Sequence, residues 1–382
     1  MQTIDVVLPT QSHQIRIEPG LLAHLGEAAR EVAPHERALL AVDGNVIEPH
    51  GRVARESLEA AGYEVLVHEL VADEKRKTLQ TVQGLYAAML AFRLERRSPV
   101  IALGGGVVGD VAGFAAATYL RGVPLLQAPT TLLAMVDASI GGKTGVNHPL
   151  PSDSAHAPEL GKNLVGAFWQ PRAVVIDPLV LATLAPRDFR CGLAECIKHG
   201  VLADAGLFTF IESNIKRIGE MDVDVLAELI ARSAHVKVAI VQEDEREAGR
   251  RALLNLGHTF AHAIEPIEAL DLKHGEAVAI GLCAAARCAG ETGRLDRDVE
   301  ERIARLLAAA GLPTRLPRPV EIERLINTMG YDKKVAGGTM RLILPTALGR
   351  ARIVSHVPEQ VIVSGWRAVG AAPGSSRGQQ AC

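Results

Sequence analysis

Short, wholly apolar runs separated by helix-period segments fill the first half of this chain. That alternation most narrows the folds open to it. RALLAVD (37–43), YEVLVH (63–68), PVIALGGG (99–106), VPLLQAP (123–129) and AVVIDP (173–178) read as buried strands. RVARESLEAA (52–61), residues 78–93 and a glycine-opened stretch ending near Leu120 read as helices. Strands that are apolar throughout and alternate with helices belong to a parallel, doubly wound sheet covered on both faces. After LATLAPRDFR (181–190) the pattern changes. Ala/Leu/Glu/Arg stretches such as Asp224–Gln242 and Arg297–Ala310 have a helical period. The expected organisation is an α/β domain over 1–185 and a mainly α-helical domain over 186–368. A late hairpin is expected from 337–349 and 351–357, and a disordered tail over 369–382.

Composition narrows the function classes. Of 382 residues, 48% are hydrophobic and 22% charged, enough apolar material for real cores, so wholesale disorder is excluded. A net charge of −3 gives no polyelectrolyte reason to bind nucleic acid or an anionic membrane. Five cysteines, none in a CxxC pair, fit a reducing compartment better than a disulfide scaffold. The start lacks a basic region followed by an apolar stretch, and no apolar run reaches the roughly 18 residues of a membrane span. A soluble, cytoplasmic protein is expected. PSDSAHAPEL (151–160) reads as an exposed, mobile surface loop.

Gly104, Gly106 and Gly109 satisfy G-x-G-x-x-G between a strand and a helix. Glycines there let backbone approach a phosphate, and the helix N-terminus attracts its charge. The string also occurs as a plain strand–helix turn, and no acid lies about 20 residues on to hold a ribose. Asp43, ending the strand at 37–43, can do so from another loop or can simply be a turn residue. Thr130 and Thr131 can cap a helix or touch a ligand. Gly141, Gly142, Lys143, Thr144 and Gly145 form a second glycine loop, which suits an anionic substrate but is not a P-loop, because Asp137 stands where its first glycine would be. Lys162 and Asn163 add a cation and an amide.

The strongest constellation lies in the helical half. His258 and His262 are four apart and share a helical face, and His274 opens the next helix. Two imidazoles with Glu195 would make three protein ligands and one open position, the arrangement of a catalytic zinc. The bland alternative is a set of core histidines that bind nothing, with Glu195 and Lys198 a surface ion pair. His258 and His262 can also divide roles, one a ligand and one an acid/base group.

With these residues assembled, the chain resembles the 3-dehydroquinate synthase family of sugar-phosphate cyclases. The resemblance rests on GGGVVGDVAGFAAATYLRG (104–122), PTTLLAMVDASIGGKTGVNHP (129–149), GKNLVGAFWQP (161–171), LAECIKHG (193–200), LLNLGHTFAHAIE (253–265), HGEAVAIG (274–281) and DKKVAGGTMRLILP (332–345), and covers most of 30–350. It implies an N-terminal NAD-binding domain, a helical metal and substrate domain, a divalent ion (Zn2+ or Co2+) and a homodimer. The implied reaction converts 3-deoxy-D-arabino-heptulosonate 7-phosphate to 3-dehydroquinate and phosphate, in the shikimate pathway of aromatic amino acid biosynthesis. It runs through transient NAD oxidation, phosphate β-elimination, reduction and aldol cyclisation.

Carried over position by position, the metal ligands would be Glu195, His258 and His274, with His262 beside them. NAD contacts would be Asp43, Asn45, Glu74, Lys77, Gly104, Gly105, Gly106, Asp110, Thr130, Thr131, Asp137, Lys162 and Thr183. Substrate contacts would be Arg121, Asp137, Lys143, Asn163, Lys198, Lys237, Glu247, Arg251 and Asn255, with Lys333 or Lys334. Of these, Lys143, Lys198, Arg251 and Asn255 join His262 as the implied catalytic set. Three departures stand out. Residues 151–160 interrupt the usual direct run from HPL to GKN, Ala261 replaces a family glycine, and 258–274 is slightly short. The alternative within the same chemistry is another cyclase, such as an aminodehydroquinate or 2-deoxy-scyllo-inosose synthase. More distant alternatives are a glycerol-dehydrogenase-like alcohol dehydrogenase and a catalytically dead NAD sensor.

Overall fold

The computed structural model describes residues 1–149, 160–331 and 341–373. Lys333, Lys334, nearly all of the 151–160 segment and the end of the tail lie outside the described residues. The chain divides into two compact units, residues 1–192 with 220–248 and residues 193–219 with 249–382. Helix Val223–Glu243 thus groups with the first unit.

The first unit is built on a seven-stranded sheet. In chain order its strands are β1 (Gln2–Val6), β2 (His13–Ile17), β3 (Arg37–Asp43), β4 (Glu64–Leu70), β5 (Val100–Gly104) and β6 (Leu125–Pro129). A separate hairpin, β7 (Lys143–Pro149) and β8 (Leu160–Phe168), comes before the last sheet strand, β9 (Ala173–Ile176). The spatial order is β1-β2-β9-β6-β5-β3-β4. Only β1 pairs antiparallel; every other neighbour in the sheet is parallel. All five residues of β5 are buried, as expected of a strand covered on both faces. Helices Leu79–Ala91 and Gly106–Thr118 contribute Leu85, Met89, Val111 and Phe114 to one core with Leu39, Ala102 and Val146.

The expected parallel sheet is present, and strand β3 has the bounds read from sequence. Two features were not foreseen. The β1–β2 pair is short and half-exposed, so its apolar signal is thin. The β7–β8 hairpin was read as a glycine loop followed by an insertion, because glycine and asparagine are depleted in strands.

Sheet order fixes where a ligand can sit. The chain runs from β3 to its neighbour β4 and then returns to the other side of β3 with β5. Such a reversal opens a crevice beyond the carboxyl ends of the strands. Asp43 ends β3 and Gly104 ends β5. A side chain on Gly104 would meet Val108 at 2.8 Å and Asp43 at 3.1 Å, so glycine permits this close approach. The Thr130 amide donates to the Gly104 carbonyl at 2.9 Å and brings the end of β6 to the same edge.

The second unit is mainly helical, with a hairpin of β10 (Arg341–Ala347) and β11 (Arg350–Ser355). Helix His274–Glu291 is its centre, with twelve buried residues. Trp366 is fully buried, stacks edge-on to Phe260 at 5.0 Å, and its indole donates to Met329 Sδ at 3.2 Å. Among the described residues no helix is long and apolar enough to cross a membrane.

One buried group in the first unit makes stability pH-dependent. His13 on β2 is buried, and neither ring nitrogen has a hydrogen-bond partner among the described residues. Burial pushes its pKa down to about 4. The unfolded chain therefore binds a proton first as pH falls. The contribution is complete above the unfolded value of about 6.5 and is lost as pH falls toward 4, by about 3 kcal/mol in all. Urea unfolding at pH 7 and pH 4.5 should show that loss, and His13→Leu should remove most of it.

Candidate active site

Glu195 and Lys198 lie on helix Pro186–Leu202, within a stretch, residues 191–200, that is buried throughout. The bland alternative of a surface ion pair does not hold. The pair is in contact, but Glu195 is 0% and Lys198 1% exposed. A lone carboxylate so deep would be costly, and Lys198 offsets its charge. Yet among the described residues neither carboxylate oxygen has a hydrogen bond of ordinary geometry. Such a group asks for a further cation.

The imidazoles stand where that cation would be. His258 opens helix His258–Ile264 and His274 opens helix His274–Glu291. The two helices cross closely at Gly257 and Gly281: a side chain on Gly281 would meet the Gly257 carbonyl at 2.2 Å. Gly257 also takes a left-handed φ of 79° just before His258. His258 Nε2 and His274 Nε2 each lie 3.7 Å from Glu195 Oε1. One ligand atom from each of the three residues lies within 4.8 Å of the others. That spacing suits a divalent ion with two nitrogens and one oxygen. The residues present therefore fit a metal. The substitution Ala261 is accommodated, fully buried, in an unbroken helix.

The remaining ring nitrogens are held from behind. His274 Nδ1 lies 3.5 Å from Glu265 Oε2, and His258 Nδ1 lies 3.3 Å from the Leu256 carbonyl. Metal-binding histidines are commonly oriented by such partners. Electrostatics separate the two rings. Burial and the Lys198 charge push His258 down to about 3, which keeps it neutral and able to coordinate. Burial also opposes a proton on His274, but Glu195 and Glu265 outweigh it and hold that ring up at about 10. Lys198 and the imidazoles hold Glu195 well below the usual carboxylate range, against its burial. His262 stands outside the three-residue set, its ring 5.6 Å from that of His258 and edge-on to it. Of the substrate candidates, Arg251 and Asn255 share the turn Arg250–Asn255, and Arg251 is almost wholly buried.

In the first unit, the candidates for NAD gather at the carboxyl edge of the sheet. Asp43 Oδ1 accepts from both the backbone and the side-chain nitrogen of Asn45, each at 2.9 Å, which is the turn-residue role. Gly105 precedes helix Gly106–Thr118, and Thr131 Oγ1 accepts from the Ala134 amide at 3.1 Å, as a cap does. Asp110 follows on the same helix, where burial raises its carboxyl pKa against the pull of Lys77. Lys77, almost wholly buried, donates to Asp110 at 2.5 Å and also to Asn163. Thr183 bonds His50 at 2.7 Å, in the turn Ile47–Gly51 that follows Asp43 and Asn45. Lys162 is exposed on β8.

Four further candidates form two pairs within the first unit. Lys237 donates to both the carbonyl and the carboxylate of Asp137. Exposed Lys143 forms an ion pair with Glu247. Arg121 is exposed on a turn with a left-handed φ of 66°. The insertion does not part Asn147 from Asn163, because the Asn163 amide donates to Asn147 Oδ1 at 2.9 Å across the hairpin. Asn147 and Glu265 were missed from sequence. Asparagine inside a strand-like run was the available signal for the first; nothing local marked the second.

Glu195→Gln should weaken divalent-metal binding by roughly hundredfold and destabilise the metal-free protein by about 3 kcal/mol, since it leaves Lys198 buried without its counter-charge. Cobalt titration followed by visible absorption, with urea unfolding of the metal-free protein, measures both.

Comparison with known proteins places the chain. Residues 67–191 match the 3-dehydroquinate synthase N-terminal model, and residues 192–335 match the C-terminal one. A 3-dehydroquinate synthase of Microcystis aeruginosa is 46% identical over 362 residues, covering 94% of this chain and 96% of the other. Among solved structures, ValA, a 2-epi-5-epi-valiolone synthase of Streptomyces hygroscopicus with NAD+ and Zn2+ bound, superposes with a TM-score of 0.84. It is 29% identical, over 95% of this chain and 98% of the other. A 2-deoxy-scyllo-inosose synthase complexed with carbaglucose-6-phosphate, NAD+ and Co2+ also reaches 0.84, at 25% identity over 94% and 98%. This chain belongs to the 3-dehydroquinate synthase family.

Proposed function

We propose that the protein converts 3-deoxy-D-arabino-heptulosonate 7-phosphate to 3-dehydroquinate and phosphate, with NAD used and regenerated in each turnover. The observation that carries this reading is the Glu195, His258 and His274 set, three ligand atoms within 4.8 Å of one another around a fully buried carboxylate. Those three residues would hold a zinc or cobalt ion, of the kinds bound by the related cyclases. Bound there, the ion supplies Lewis acidity to a substrate hydroxyl, and NAD supplies a reversible hydride acceptor.

The chain itself binds, orients and neutralises charge. In this reading Asp43 and Asn45 serve the NAD ribose. Gly104, Gly105 and Gly106 offer backbone to its pyrophosphate, and Glu74, Lys77, Asp110, Thr130, Thr131, Asp137, Lys162 and Thr183 complete that site. The substrate carries a carboxylate and a phosphate, so it needs several cations. Arg121, Lys143, Lys198, Lys237 and Arg251 supply them, while Asn163, Asn255, Asp137 and Glu247 hold hydroxyls. Lys143 would exchange its ion pair with Glu247 for the substrate anion. Once the substrate carries a ketone, the adjacent C–H is acidified. Its proton passes to the leaving phosphate as the C–O bond breaks. His262, whose ring lies 5.6 Å from that of His258, would relay a proton during ring opening and aldol closure. The first 185 residues would then serve NAD, with Arg121, Asp137, Lys143 and Asn163 lent to the substrate, and residues 186–368 the metal and the other substrate contacts.

A homodimer is part of the same reading. On β8, Val165 and Ala167 pack on the core, while Leu164 and Phe168 on the opposite face are exposed at 45% and 44%. Exposed apolar residues on one sheet face suit a second copy. A cytoplasmic setting fits the free thiols of Cys283 and Cys288.

Purified protein given the heptulosonate phosphate, NAD+ and Zn2+ should release phosphate without net growth of the NADH absorbance. Chelation should stop release, and added metal should restore it. Steady NADH accumulation would indicate a dehydrogenase instead, and turnover of a different sugar phosphate in place of this one would indicate another cyclase. Light scattering should report twice the chain mass, falling toward the monomer in Phe168→Glu.

A further inference from the structure

We infer that Asn147 is the positioning residue that sets Glu74, Lys77 and Asn163 in one arrangement, and so tunes NAD and substrate affinity together. This rests on the roles given to those three residues under the proposed function. Asn147 lies on β7, where the ladder with β8 breaks register between Val146 and His148. The bulge releases its backbone and side chain from sheet pairing. It is only 2% exposed.

The backbone N–H, side-chain amide and Oδ1 of Asn147 are all used on these three residues. Its backbone N–H donates to the Lys77 carbonyl at 2.8 Å. Its side-chain amide donates to Glu74 twice, to the carbonyl at 3.1 Å and to Oε1 at 2.8 Å. Its Oδ1 accepts from the Asn163 amide at 2.9 Å. Lys77 then closes the loop by donating to Asn163 Oδ1 as well as to Asp110. Asn163 has a left-handed φ of 56°, a conformation that asparagine adopts more readily than most residues with a side chain. The chain supplies a donor and an acceptor at one buried point, and only a short amide fits. Aspartate keeps the acceptor for Asn163 and loses the donors to Glu74. Leucine keeps the volume and loses both.

Because the side-chain donors are spent on Glu74, Asn147 acts through its neighbours. Its loss should appear in affinities more than in turnover. It also ties β7 to β8 ahead of the 150–159 segment, so the position of Asn163 is set on the near side of that insertion.

The test uses the full-length, metal-loaded protein and its Asn147→Leu, Asn147→Asp and Glu74→Ala variants. NAD+ dissociation constants are measured by calorimetry, with KM and kcat for the heptulosonate phosphate. Asn147→Leu should raise the NAD+ dissociation constant and the substrate KM about tenfold each, a shift of about 1.4 kcal/mol, while kcat at saturation stays within about threefold. Asn147→Asp should weaken NAD+ by a similar factor and leave the substrate KM within about threefold. Combining Asn147→Leu with Glu74→Ala should weaken NAD+ no more than the worse single change, because both disrupt one contact. Wild-type NAD+ affinity in both Asn147 variants, or losses that multiply in the double variant, would overturn the inference. Should Asn147→Leu fail to fold, the Asn147→Asp arm decides alone. A wild-type protein that binds NAD+ but releases no phosphate would refute the proposed function, and the NAD+ arm would still judge Asn147.

Discussion

A carboxylate buried with a charge that one lysine only partly answers is the constraint on which the rest of the second unit turns. Glu195 sits in a helical stretch with no exposed residue, where burying an ion costs several kcal/mol unless other charges answer it. Lys198 answers part of that cost from one turn away. The two imidazoles face Glu195 from separate helices, and those helices can approach only because Gly257 and Gly281 carry no side chains. A side chain at either position would push the histidines apart. Core packing and site geometry are therefore one requirement in this region.

The first unit meets a different constraint. Its parallel strands end together, and the reversal of strand order between β4 and β5 leaves the ends of β3 and β5 without a covering connection. The residues at that edge are short or flexible, Asp43 and the three glycines 104–106, so backbone can approach a phosphate closely. Behind them Lys77, Asp110, Asn147 and Asn163 form a closed hydrogen-bonded group. A buried lysine in such a group is held by its partners and placed in one position, which suits binding more than proton transfer.

Much of this was legible in the sequence, for reasons that can be traced. Strand β3 and the parallel sheet were readable because strands covered on both faces are apolar at every position, a signal with no competing period. The metal set was readable because His258 and His262 share a helix face and His274 follows within reach of a helix pair. The depth of Glu195 and Lys198 was not: spacing three apart is the same on a surface as in a core, and only packing of the whole unit separates the two. The β7–β8 hairpin was hidden for a related reason. Gly145, Asn147 and Gly166 argue locally against strands, yet Gly145 and Gly166 lie so close across the pair that a side chain on Gly166 would meet the Thr144 carbonyl at 2.1 Å. Tertiary contact overrode propensity there, as it does in many short strands.

The central claim is that Glu195, His258 and His274 hold one divalent ion. Anomalous X-ray diffraction from crystals grown with zinc, collected on both sides of the zinc absorption edge, tests it directly. The claim predicts a single strong peak bonded to Glu195 and to Nε2 of both histidines, at about 2.0–2.2 Å. A peak elsewhere, or none at full zinc loading with the three side chains turned apart, would contradict it.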